Sequence, residues 1–96
     1  MVKIIWTLQA IEDLKSIHDY IAVESRVYAK DVIVKIMTRV QQLEQFPQSG
    51  KMVPEFEQKN IRELIEGNYR IVYKIHPNHI GIVRIHHSAR LLKLNH

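Results

Sequence analysis

Arg70, His86, His87 and Glu55 are the residues of this 96-residue chain whose chemistries complement one another. Together they could cleave RNA without a metal. That reaction needs a base to take the 2′-OH proton, a cation to stabilise the extra charge on the pentacovalent phosphate, and an acid for the leaving 5′-oxygen. Arg70 suits the second task, because a guanidinium stays charged and pairs with phosphate through two N–H groups. His86 and His87 titrate near neutrality and can serve as acid and base. Glu55, directly after Pro54, can act as the base or hold a histidine in place. Lys51, Arg62, Lys74, Arg84 and Arg90 are then the cations available to an RNA backbone. The same residues also fit a noncatalytic, basic nucleic-acid-binding module, with strand-end histidines as plain surface groups and Glu55 as a solvated acid.

The distribution of charge supports an anionic partner. Residues 1–50 carry six Lys/Arg against six Asp/Glu, whereas residues 51–96 carry eight against four, with five of the six histidines. The formal charge of +4 therefore belongs to the C-terminal half, which points toward a phosphate-bearing molecule. With no cysteine in the chain, neither a disulfide framework nor a cysteine-based zinc site is available. The pairs His76/His79 and His86/His87 have no well-spaced carboxylate to complete a metal site, and adjacent strand residues point to opposite faces. Neither a Walker loop nor G-x-G-x-x-G occurs, so no metal and no cofactor is expected. The apolar start Met1–Trp6 is too short for a signal h-region or a membrane span, which leads to the expectation of a soluble, cytoplasmic protein without a membrane partner.

These groups need a scaffold, and residues 1–96 are expected to form one domain, long enough to bury about 60–70% of the unfolded surface. Lys3 to Trp6 reads as a strand. Thr7 is an N-cap for a helix whose apolar positions are Ala10, Leu14, Ile17 and Ile21, with Glu12, Asp13, Lys15 and Asp19 on the opposite face. After Ser25 a second helix presents Ala29, Val32, Ile33, Ile36, Val40 and Leu43 and must stop near Phe46-Pro47. A Pro/Gly-containing loop, residues 47–54, leads to three strands near Ile61 to Glu66, Tyr69 to Ile75 and Ile80 to His86, with turns at Gly67-Asn68 and Pro77-Asn78. The fold class is therefore α+β, in the order β-α-α-β-β-β. A helical hairpin packs on one face of a twisted, mostly antiparallel four-stranded sheet. Alternation puts Ile71, Tyr73 and Ile75 under the helices, and Arg70, Val72 and Lys74 on the open face. With Val83 and Ile85 as the apolar set of the last strand, Arg84 and His86 join Arg70 there. Tyr73 and Trp6 are expected in the core rather than as base-stacking platforms.

Several separated elements resemble one family. They are Trp6 with Ala10 and Asp13-Leu14, Tyr20-Ile21, Leu43 with Phe46-Pro47 and Gly50, Val53-Pro54-Glu55, Arg62-Glu63-Leu64, Tyr69-Arg70-Ile71-Val72-Tyr73 and His86-His87-Ser88-Ala89-Arg90. In order and spacing the chain is similar from end to end to the RelE/ParE superfamily of toxins from bacterial type II toxin–antitoxin modules. The resemblance implies a toxin that arrests growth, a cognate antitoxin and a possible toxin–antitoxin hetero-oligomer. RelE-like and YoeB-like members cleave mRNA on the ribosome without a metal; ParE-like members inhibit DNA gyrase. In the YoeB-like pattern a loop glutamate after proline, a middle-strand arginine and a histidine–tyrosine pair are the active residues. Glu55, Arg70 and His86 match the first three, and His87 stands where the tyrosine would be. The retained Arg70 leans toward a ribosome-dependent mRNA endonuclease, whereas the ending His-x-x-Arg and Val-Pro-Glu also resemble the gyrase inhibitors.

Overall fold

The computed structural model of the chain describes residues 1–88. Arg90, read above as a cation for an RNA backbone, and the segment 91–96 lie outside them. The elements follow in the order β1 (Lys3–Trp6), α1 (Leu8–Ala22), α2 (Arg26–Gln41), β2 (Lys51–Met52), β3 (Ile61–Glu66), β4 (Tyr69–Ile75) and β5 (His79–His87), with a 3-10 turn at Gln42–Glu44. This is the expected α+β arrangement with one strand more than the four anticipated, because Lys51 and Met52 pair with Glu63 and Arg62. The five strands lie in the order β1-β5-β4-β3-β2. All neighbours are antiparallel except β1 and β5, which run parallel.

Local chemistry sets the helices. The Thr7 and Ser25 hydroxyls accept from the N–H groups of Ala10 and Tyr28, satisfying donors that the first turn leaves open. Ala10 and Leu14 of α1 and Ile36 and Val40 of α2 then pack on Ile71, Tyr73, Ile80, Ile82 and Ile85 of the sheet, with Leu43 and Leu64. The 3-10 turn carries Leu43 inward after α2 has ended. Gly67, at φ +57°, makes the β3–β4 turn in the left-handed region that glycine enters without strain.

β5 departs from simple alternation. A register shift opposite Val72 and Tyr73 places Val72 across from Arg84 but Tyr73 across from Ile82, so Val83 is the extra residue of a bulge. The buried apolar set of β5 is consequently Ile80, Ile82 and Ile85, not Val83 with Ile85. The bulge resets the alternation that the sequence reading carried unbroken along the strand.

The sheet face away from the helices is only partly open. Residues 53–60 fold back over β3 and β4 and bury Val53, Ile61 and Val72 in a second apolar cluster against Phe56. The turn is tied by the Phe56 N–H on the Val53 carbonyl and the Ile75 N–H on the Asn60 carbonyl. Where an open concave surface was expected, half of it carries a lid.

Candidate functional site

Under that lid lies an ion cluster. The Arg70 guanidinium donates to Glu55 through Nη1 (2.7 Å to Oε2) and Nη2 (2.8 Å to Oε1), and to Glu63 through Nε (3.1 Å to Oε1) and Nη2 (2.8 Å to Oε2). Both carboxylates are gripped in two-point fashion. The side chains of Arg70, Glu55 and Glu63 are 8%, 20% and 3% exposed. Hydrogen bonds to Glu55, then to Glu63, push the Arg70 pKa above its ordinary value despite burial. By formal count two carboxylates face one guanidinium.

His86 stands across the β4–β5 pair from Arg70, so the sheet does bring Glu55, Arg70 and His86 together. His87 is elsewhere. It pairs with Tyr69, whose ring it meets edge-on at 5.7 Å and 82°. Tyr69 packs against the helix-side core, so the two histidines occupy opposite faces of the sheet. They are not set around one phosphate.

The cations expected to bind RNA are dispersed, and two of them have structural work. Arg62 donates to the carbonyls of Lys59, Gln48 and Gly50, clasping the loop on both sides of β2. Arg84, placed by the sequence beside Arg70, instead pairs with Asp13 of α1 (Nε to Oδ2, 2.8 Å), and Asp13 also accepts the Ile85 N–H at 3.0 Å. The reason is that β1 covers β5 only as far as Ile82. Thr7 and Asp13 then satisfy the bare strand edge that follows, Thr7 by donating to the Val83 carbonyl. Asp13, read as a solvent-face residue, is therefore a helix-to-sheet pin. Lys51 is exposed on the outer strand β2, and Lys74 lies toward the other end of the sheet, opposite Gly81.

Glu63 was the residue the sequence reading missed. Its signal was present: in Ile61, Glu63 and Ile65 a carboxylate occupies the apolar parity of a strand, which demands a cation on the neighbouring strand. Tyr73 is in the core as expected, where its hydroxyl accepts the Gly50 N–H at 2.8 Å. Trp6 packs against the same core. A Cβ on Gly50 would stand 2.6 Å from that hydroxyl and 2.7 Å from the Glu63 carbonyl, so only glycine lets the loop pass here. Among the described residues no group of three or more His, Asp or Glu is placed to hold a metal ion. No helix among them is long and apolar enough to cross a membrane.

A helical hairpin on one face of a mixed five-stranded sheet is a fold with solved counterparts. The fold of a chain from the chromosomal ParDE system of P. aeruginosa superposes with a TM-score of 0.75 at 27% identity, over 91% of this chain and 96% of that one. The YoeB dimer from Staphylococcus aureus (TM-score 0.62, 20% identity, 90% and 95% covered) and the E. coli DinJ–YafQ complex (0.66, 14%, 93% and 96%) share the fold. In sequence, Toxin RelE2 of Caulobacter vibrioides is 33% identical over 92 residues, covering 95% of this chain and all of that protein. Residues 4–92 match the family described as ParE toxin of the type II toxin–antitoxin system, parDE, and the chain belongs to that family.

Proposed function

We propose that this toxin acts in the cytoplasm as a single domain, is neutralised by a cognate antitoxin, and arrests growth by binding a protein target without cutting RNA. DNA gyrase is the target that the ParE resemblance implies. One observation carries this reading: the Arg70 guanidinium is buried and held by two carboxylates. A cation that stabilises a phosphorane must meet its oxygens, and a phosphate brought to this cluster meets more formal negative than positive charge. The opposite facing of His86 and His87 adds support, since acid and base must flank one phosphodiester. The mRNA endonuclease is the second reading. It is favoured by the meeting of Glu55, Arg70 and His86, and it needs Glu55 to let go of Arg70.

Arg70→Ala cannot separate the two. Removing one partner of a buried ion cluster costs about 3–5 kcal/mol, so loss of toxicity would report unfolding. The separating variant is Glu55→Gln with Glu63→Leu and Arg70→Met, which removes all three charges of the cluster together and leaves none of them without its partner. Expressed in a bacterium, this folded variant is expected to stop growth and relax plasmid DNA as the parent does, with mRNA intact by primer extension. Cleavage at ribosome-occupied codons by the parent, lost in the folded triple variant, would establish the endonuclease instead.

A further inference from the structure

The half of the sheet face that residues 53–60 leave uncovered carries its own constellation. Lys3 and Ile5 of β1 lie in register with His79 and Gly81 of β5, and Gly81 with Lys74 of β4. The partners Ile4, Trp6, Ile80 and Ile82 are in the helix-side core, so these five residues share the opposite face. His76 joins them. Its ring stacks on that of His79 at 4.3 Å and 9°, and a Cβ on Gly81 would stand 3.5 Å from its Nε2. The imidazole therefore lies over the glycine, at van der Waals distance from where a Cβ would stand. His79 Nδ1, 2.8 Å from Asn78 Oδ1, is held by the turn.

We propose that this corner, where Lys3, Lys74, His76 and His79 surround Ile5, docks an acidic segment of a partner protein and holds it more tightly as pH falls. Charge complementarity is the argument. Neither lysine and neither imidazole forms an ion pair with a carboxylate among the described residues, whereas Arg70 and Arg84 are held by carboxylates and Arg62 spends its donors on carbonyls. Ile5 is 42% exposed in the midst of these lysines and imidazoles, an apolar anchor that a peptide can cover and a phosphodiester backbone does not need.

The pH dependence follows from the groups that face the imidazoles. Partial burial, then His79 and Lys74, hold the His76 pKa below its ordinary value, so the ring is neutral at pH 7. Lys3 of β1 adds a further positive charge to the same face, and among the described residues no carboxylate is paired with either imidazole. An arriving carboxylate supplies the missing counter-charge, and binding takes up protons.

The test is fluorescence anisotropy with the full chain and a labelled Glu-Glu-Leu-Glu-Glu-Leu-Glu-Glu peptide. Binding is expected to tighten about fivefold or more from pH 7.5 to 5.5, where glutamates remain ionised. His76→Gln with His79→Gln should abolish that pH dependence, and Lys3→Ala with Lys74→Ala should weaken binding about tenfold at both pH values. Lys30→Ala with Lys35→Ala on α2 should change nothing, with circular dichroism showing all variants folded. Equal loss from the α2 variant, or no pH dependence in the parent, overturns the proposal. So does displacement of the peptide by a ten-nucleotide oligothymidylate at lower concentration than unlabelled peptide, which would assign the corner to nucleic acid.

Discussion

Arg70 illustrates how a residue's type can be read from sequence while its state cannot. Arginine on an exposed-parity strand position advertises phosphate recognition, yet here its fork is closed by Glu55 and Glu63. The closing partner Glu63 was hidden by appearing as a polar interruption in an apolar strand. Tyr73 lies at the other extreme, legible as core from alternation alone. Its burial raises the phenol pKa, so the unfolded chain ionises first, from about pH 10. Stability contributed by the neutral phenol is therefore present below pH 10 and lost as pH climbs toward the raised folded value. Tyr73→Phe should flatten that alkaline limb in urea titrations, leaving the smaller share due to Tyr69, which burial and then Tyr28 and Tyr20 also raise. At neutral pH the same variant should lose about 1–2 kcal/mol, because the Gly50 N–H loses its acceptor.

At the scale of elements, both helices, the Thr7 cap and the strands β3 and β4 were legible, because period and turn chemistry are local. What was illegible is non-local: the two-residue β2, the bulge at Val83, and the lid of residues 53–60, whose apolar members Val53 and Phe56 follow no period. Asp13 shows the cost of reading faces by period alone, since its helical position predicted solvent and the short reach of β1 gave it a strand edge to cap. Asp13→Ala should destabilise the fold by about 2–3 kcal/mol, for it unpairs Arg84 and leaves the Ile85 N–H without its acceptor. The denaturant midpoint should fall while the slope stays constant. The neighbouring Glu12→Ala, on an exposed position, should change the midpoint little.

The whole molecule divides its charge by burial. Half of one sheet face locks cation against anion under a lid, and the other half shows uncompensated cations beside an apolar anchor. The sequence could report the excess of +4 but not this division, which depends on which carboxylates the topology carries inward. The topology has a further consequence, in time rather than space. β1, the first strand made, lies parallel to β5, and its main-chain partners are residues 79–82. Until those residues leave the ribosome, Ile4 and Trp6 have no strand to join, and Asp13 has no edge to cap. Loop closure over most of the chain must precede the sheet's completion. Synthesis therefore leaves the sheet unfinished until residues 79–82 have emerged, and a stalled nascent chain ending before residue 79 should be cut by protease where the released chain resists.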